Sequence, residues 1–295
     1  LSSQLAATLR AAERLKTLAD RYGAERLVEY MADVMNYSDR LMRAALSELP
    51  DGEGYFEDFC DGDGIPDHPD GSDAPFWVRM RVKKFGDRIT VDFAGTDAQV
   101  AGPMNAPLSV SASGVFCGLK TAIDPNSLIP PNSGCWRAIE VTAPKGTVVN
   151  VEFPAPVVYA NHEMSHRTAD MVMGALAEFM PDQVMACSQG TSAVLTLGGL
   201  DPRNGRRYVS YETVKGGFGA RPNKDGINVV ASGISNTMNT PVEVLEMAFP
   251  VRVERYEIEP NSGGAGKFRG GAGARRTWRM LDGADATGAL CMERM

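Results

Sequence analysis

Histidine is scarce in this chain, three in 295 residues, and the marks of several large functional classes are missing with it. No basic run or basic face broken by aromatics occurs, and 37 acidic against 30 basic side chains give a net charge of −7. A nucleic-acid partner is therefore not expected. No apolar run approaches the roughly 20 residues that span a bilayer, and the opening stretch is a charged amphipathic helix rather than a signal peptide. A membrane partner is not expected either. The five cysteines (Cys60, Cys117, Cys135, Cys187 and Cys291) are far apart and never form CxxC. That excludes both a disulfide framework and a cysteine zinc site, and it suits a reducing cytoplasm. No glycine cluster ends in GK[ST] and no GxGxxG joins a strand to a helix, so the chain shows no nucleotide loop of its own. GxSxG is absent too, so there is no nucleophile elbow.

What is present is a large apolar fraction, 43%, enough to bury a substantial core in one large domain or two. Leu5, Leu9, Ala12, Leu15 and Leu18 mark one helical stripe, and Leu27, Met31, Val34, Met35, Leu41 and Leu46 mark a second. Gly23 separates the two and Pro50 closes the pair. Residues 51–75 are rich in Asp, Gly and Pro and read as a solvated acidic loop. Asp61, Asp63 and Asp67 cluster there, but Ile65 and Ser72 stand where a calcium loop needs oxygen ligands. From Phe76 the period changes to two: WVRMRVKKF and RITVDF flank Gly86-Asp87 and predict a hairpin.

Farther along, residues 95–107 read as a polar loop and 109–123 as a helix of small residues that can pack closely. IEVTAP and TVVNVEF read as strands, as do 184–197 and 207–214 around the DPRNGR turn. NTPVEVLEMAF predicts a helical turn and VRVERYEIE a strand. The expected architecture is α+β, with mixed, largely antiparallel sheets, packed helices and an amino-terminal helical pair. Residues 1–75 are expected to form a helical segment with its acidic loop, and residues 76–295 an α+β core. The chain opens on Leu1 and stops at Met295 within a strand-forming segment, so it is read as incomplete at both ends.

Two features carry chemistry. The glycine clusters at 216–219, 263–266 and 270–273 could cradle an anion through backbone N–H groups, with Lys267, Arg269, Arg275 and Arg276 nearby in sequence. Glycine is equally explained by close backbone approach at tight turns. The stretch ANHEMSHRTADMVMGAL holds His162 and His166 with Glu163 between them, an HExxH spacing. On a regular helix this aligns both imidazoles on one face with the glutamate beside them as a base. No third ligand with zincin spacing follows, although Asp170 lies one turn on. Metal-binding and purely hydrogen-bonded histidines both stay open. Ser165 would sit at the helix start, where a hydroxyl caps, and a strand ending at Tyr159 would leave a helix N-terminus behind these polar groups, suited to holding an anion.

Six blocks in sequence order, VDFAGTDAQVAGPMNAP, IPPNSGCWRAIEVTAPKGTVVN, ANHEMSHRTADMVMGAL, KGGFGARPNKDG, NTPVEVLEMAFPVRVERYEI and NSGGAGKFRGGAGARR, resemble the hydantoinase B/oxoprolinase family. That family includes ATP-dependent hydantoinases, 5-oxoprolinases and the large subunits of acetone and acetophenone carboxylases. The resemblance implies a subunit of an ATP-dependent amidohydrolase that opens a cyclic amide such as a hydantoin or 5-oxoproline, in a hetero-oligomer with a hydantoinase A-type subunit that binds ATP. A carboxylase large subunit, or a silent assembly module of such a complex, are the alternatives it leaves. It also implies a divalent metal ion, zinc, manganese or magnesium, yet the NDPxxGGTHxxD-like stretch where the family would hold it has no counterpart here. Where the family reads GNxExSQR, Asn161, Glu163, Ser165 and Arg167 match and both histidines are local departures. The candidate site residues are therefore Glu163, Asn161 and Ser165 for catalysis, Asn105, Arg167, Lys267 and Arg269 for substrate or anion, and, from the HExxH spacing and not from the resemblance, His162 with His166 for a metal.

Overall fold

A computed structural model describes residues 1–66 and 73–292. Two long helices open it, α1 (Ser2–Tyr22) and α2 (Ala24–Ser47). They break at Gly23, whose φ of 85° is a conformation that glycine adopts without steric cost. α1 buries none of its residues, whereas the end of α2 inserts Met42 and Leu46 into the core.

The stretch read as a loop after Pro50 holds a nine-residue strand, β1 (Gly52–Cys60). Its acidic residues concealed it, and the structure shows why they are tolerated. β1 pairs antiparallel with β2 (Phe76–Phe85), and Glu53 and Glu57 lie beside Arg81, Lys83 and Arg79 of that neighbour. β2 turns at Gly86 into β3 (Arg88–Asp92), the expected hairpin, and β3 pairs in parallel with the short β4 (Ile139–Thr142). The order β1-β2-β3-β4 makes one sheet. A boundary after residue 75 therefore falls between two hydrogen-bonded strands. Asp67 and Ser72 lie outside the described residues.

The sheet's inner face alternates as its sequence does, with Val78, Met80, Val82, Ile89 and Val91 buried. Helix α3 (Leu108–Ile123) and helix α4 (Ser165–Leu176) pack in the same core. Their small residues permit close contact: a Cβ on Gly118 would crowd Ala169 O and Val172, and one on Gly54 of β1 would overlap Ala175 O. TVVNVEF forms bridges and turns rather than a strand.

A second sheet, β6-β5-β9, is built from β5 (Val194–Asp201), β6 (Arg206–Thr213) and β9 (Ala286–Cys291), with the 201–206 turn as expected. Residues 184–193, read as part of that strand, are irregular. Helix α5 (Val242–Ala248) and the antiparallel pair β7 (Val251–Ile258) and β8 (Ala274–Met280) complete the α+β arrangement.

Candidate active site

No strand leads into the histidine segment. An irregular stretch passes into a π-helical turn, Ala160–Met164, that runs straight into α4. The Ser165 N–H donates back to Ala160 O, so α4 begins inside a continuous helical path and presents no free N-terminus to an anion. Nor is Ser165 a cap: its hydroxyl donates to Asn161 O at 2.9 Å, a bond to the preceding turn. The wider π turn also changes what HExxH means. His162 and His166 face a cleft of about 630 Å³, together with Asn161 and Ser165, while Glu163 does not line it. Glu163 is fully buried, accepting from Thr191 Oγ1 at 2.8 Å and from Cys291 Sγ at 3.7 Å.

The cleft is closed by parts of the chain far from the helix in sequence. Ser192 comes from the segment before β5, Tyr211 and Thr213 from β6, and Ser235 and Thr240 from the stretch before α5. His166 Nε2 lies 3.1 Å from Ser192 Oγ, and its Nδ1 bonds Ser232 Oγ. Burial, with smaller effects from His162 and Lys215, pushes the His166 pKa down to about 4, so the ring is neutral near pH 7. One of its nitrogens then donates and the other accepts. His162 Nε2 bonds the Tyr211 hydroxyl, and burial lowers its pKa as well.

Glu212, which also lines the cleft, accepts from Thr240 Oγ1 at 2.8 Å and pairs with Arg276 at 3.2 Å. The Arg276 guanidinium is held between the rings of Tyr256 and Trp278, 4.7 and 5.1 Å from their centroids. Lys215 is buried and donates to Thr213 Oγ1 at 2.7 Å, and desolvation lowers its pKa.

Among the described residues no three His, Cys, Asp or Glu side chains converge as a metal site. A metal on His166 would displace a serine hydroxyl, one on His162 Nε2 the Tyr211 contact, His162 Nδ1 is buried away from solvent, and Glu163 does not line the cleft that the two imidazoles face. The pair does not fit a metal ion on this arrangement.

The other expected residues lie elsewhere. Asn105 is wholly buried and spends its amide on backbone: it donates to Val100 O, Gly102 O and Pro156 O and accepts from Val100 N–H. Arg167 points into the interior and pairs with Asp58 of β1. Lys267 lines a separate cleft of about 810 Å³ between the glycine clusters. Arg269, beside it in sequence, bonds Gly270 O and Asn228. There the glycines serve close approach: a Cβ on Gly217 would overlap Gly271 O, and one on Gly271 would overlap Ile227 O. Ser192, Tyr211 and Ser232 were not anticipated, since QGTSAV, YVSYET and VVASG match no motif.

These placements separate two roles for Glu163. Glu163→Gln is expected to lower thermal stability, by about 1–3 kcal/mol for a disturbed buried hydrogen bond, and to leave kcat within a few fold. A large fall in kcat at an unchanged melting temperature would restore it as a base.

The hydantoinase B/oxoprolinase family profile matches residues 1–295. A candidate D-/L-hydantoinase B component from Pseudomonas sp. (strain NS671) is 36% identical over 286 residues, which is 95% of this chain and 47% of that protein. The crystal structure of ATP-dependent caprolactamase from Pseudomonas jessenii superposes with a TM-score of 0.80 at 31% identity, over 97% of this chain and 49% of that one. Nucleotide-free acetone carboxylase shares the fold, with a TM-score of 0.81 at 19% identity over 92% of this chain and 38% of its own. The chain spans 47% of the length of the hydantoinase and caprolactamase relatives it matches and 21% of that of the 5-oxoprolinases of Dictyostelium discoideum and Arabidopsis thaliana.

Proposed function

Because the chain belongs to the hydantoinase B/oxoprolinase family, we propose that it supplies the ring-opening side of an ATP-dependent amidohydrolase acting on a cyclic amide, in complex with an ATP-binding hydantoinase A-type subunit. An amide carbonyl is a poor electrophile because nitrogen donates into it. Phosphorylation of its oxygen by the partner draws electron density from the carbon and turns that oxygen into a phosphate leaving group, so that water can attack the carbon. A divalent metal belongs to this reading only through the family resemblance.

The observation that carries the reading is the hydrogen bond of Ser192 to His166 in the cleft. A neutral imidazole with Nε2 as acceptor takes a proton from the attacking water through the Ser192 hydroxyl, while Ser232 holds the opposite nitrogen. The carbon–oxygen bond to water forms as one water proton passes to His166, the ring carbon–nitrogen bond breaks with its electron pair and a proton going to nitrogen, and the acyl phosphate that remains is hydrolysed by a second water to carboxylate and inorganic phosphate.

The decisive experiment compares the full-length protein with and without the partner and ATP. Ring opening of hydantoin or 5-oxoproline is expected only with both present, and turnover by this polypeptide alone would sink the proposal. Labelled bicarbonate appearing in a ketone-derived product would replace hydrolysis by carboxylation. The pH profile gives an independent check. The base must be neutral, so the acid limb of kcat is expected near 4, the value to which burial pushes His166, and a limb near 6.5 would argue for an exposed imidazole.

A further inference from the structure

His162, the second histidine of the cleft, takes no part in the proton path through His166, and its two nitrogens are unequally served. Nε2 meets the Tyr211 hydroxyl, whereas Nδ1 is buried and has no partner among the described residues. Neutral imidazole carries one N–H. Placed on Nδ1, that hydrogen would be a buried orphan donor, which folded proteins avoid more strictly than a bare acceptor. Placed on Nε2, it is donated to the Tyr211 oxygen, and the tyrosine's own hydrogen is left to point elsewhere.

The place it can point is the cleft. Tyr211 lines that space and is 52% exposed, so its side chain is open to a bound molecule and to solvent. Its ring is fixed on β6, where Tyr211 stands opposite Thr196 of β5, and it lies 5.9 Å from the His162 ring, which is 6.1 Å from that of Tyr159. Burial raises the phenol pKa, so the group keeps its proton at neutral pH.

We propose that Tyr211, oriented by the Nε2–H of His162, is the general acid that protonates the leaving ring nitrogen. This rests on the reaction proposed above. As water adds to the carbon, its proton passes to His166. When the ring carbon–nitrogen bond breaks, the electron pair goes to nitrogen, which takes the Tyr211 hydrogen. The phenolate regains a proton from solvent at its exposed edge. A phenol suits this task because it holds its proton at neutral pH and gives it up to a nitrogen that has just gained the electron pair of the breaking bond.

Tyr211→Phe in the full-length protein, assayed with partner and ATP, tests the assignment on two substrates of different leaving nitrogen. With 5-oxoproline, which expels a basic amine, kcat is expected to fall about 100-fold with KM and melting temperature nearly unchanged. With hydantoin, whose leaving nitrogen belongs to a urea and needs less protonation, the loss is expected to be several-fold smaller. A structural role would cost both substrates equally. The ¹⁵N imidazole spectrum of the full-length protein, assigned by His162→Gln, is expected to place the His162 hydrogen on Nε2. Equal losses on both substrates, no loss on either, or a hydrogen on Nδ1 would overturn the acid role alone. Absence of turnover by the wild-type complex would overturn the reaction reading and the acid role with it.

Discussion

His166→Gln is expected to lower kcat of the proposed ring opening by about 100-fold or more, the range for losing a general base, with little change in melting temperature. Glutamine keeps the reach of the side chain and can still bond both serine hydroxyls, but it cannot accept a proton at neutral pH. The imidazole it replaces is nearly buried and held at Nε2 by Ser192 and at Nδ1 by Ser232, so the exchange leaves no charge behind. Ser192→Ala is expected to lose a comparable factor, because it severs the same path on the cleft side. The double variant should then be little worse than either single one, as groups acting in one unit are non-additive. Full activity in His166→Gln would remove the base, and losses that multiply in the double variant would show that Ser192 and His166 act separately.

The parts of the fold that could be read in advance are those where one physical signal dominates. Two apolar stripes broken at Gly23 gave α1 and α2, and alternation around Gly86-Asp87 gave the β2–β3 hairpin. β1 escaped because the charges of Glu53, Glu57 and Asp58 read as solvation, while in the fold they lie beside Arg79, Arg81, Lys83 and Arg167. Side-chain pairing across strands is a long-range fact that local composition does not carry. The cleft divides in the same way. His162 and His166 stood out by rarity and spacing, but the spacing presupposed a regular α-helix, and the π turn at Ala160–Met164 separates Glu163 from them. Ser192 and Tyr211 reach the histidines only because β5 and β6 pair and bring the chain back over α4. No motif marks residues that are joined by topology alone.

The close seat of α3 on α4 is what fixes the cleft, and Gly114 is where it can be broken. A Cβ there would overlap Thr168 Oγ1 and the Ser165 carbonyl, both on the turn that carries His166. By helix propensity alone, Gly114→Ala should stabilise α3 by about 1 kcal/mol, since its φ is helical and alanine is the better helix former. Overpacking acts the other way and costs about 1–3 kcal/mol, more where the obstacle is backbone and cannot rotate aside. The clash is therefore expected to win, with a net destabilisation of about 2 kcal/mol. Relief requires α3 and α4 to move apart, which shifts His166 against Ser192 and Tyr211 on the other wall. A displacement near 1 Å costs about 100-fold in turnover, so kcat should fall together with the melting temperature. Gly264→Ala, where an added Cβ meets nothing within 4 Å, is the control and is expected to change neither. A Gly114→Ala protein that melts higher than the parent and turns over normally would show that the two helices have slack at this contact and that the position of His166 does not depend on it.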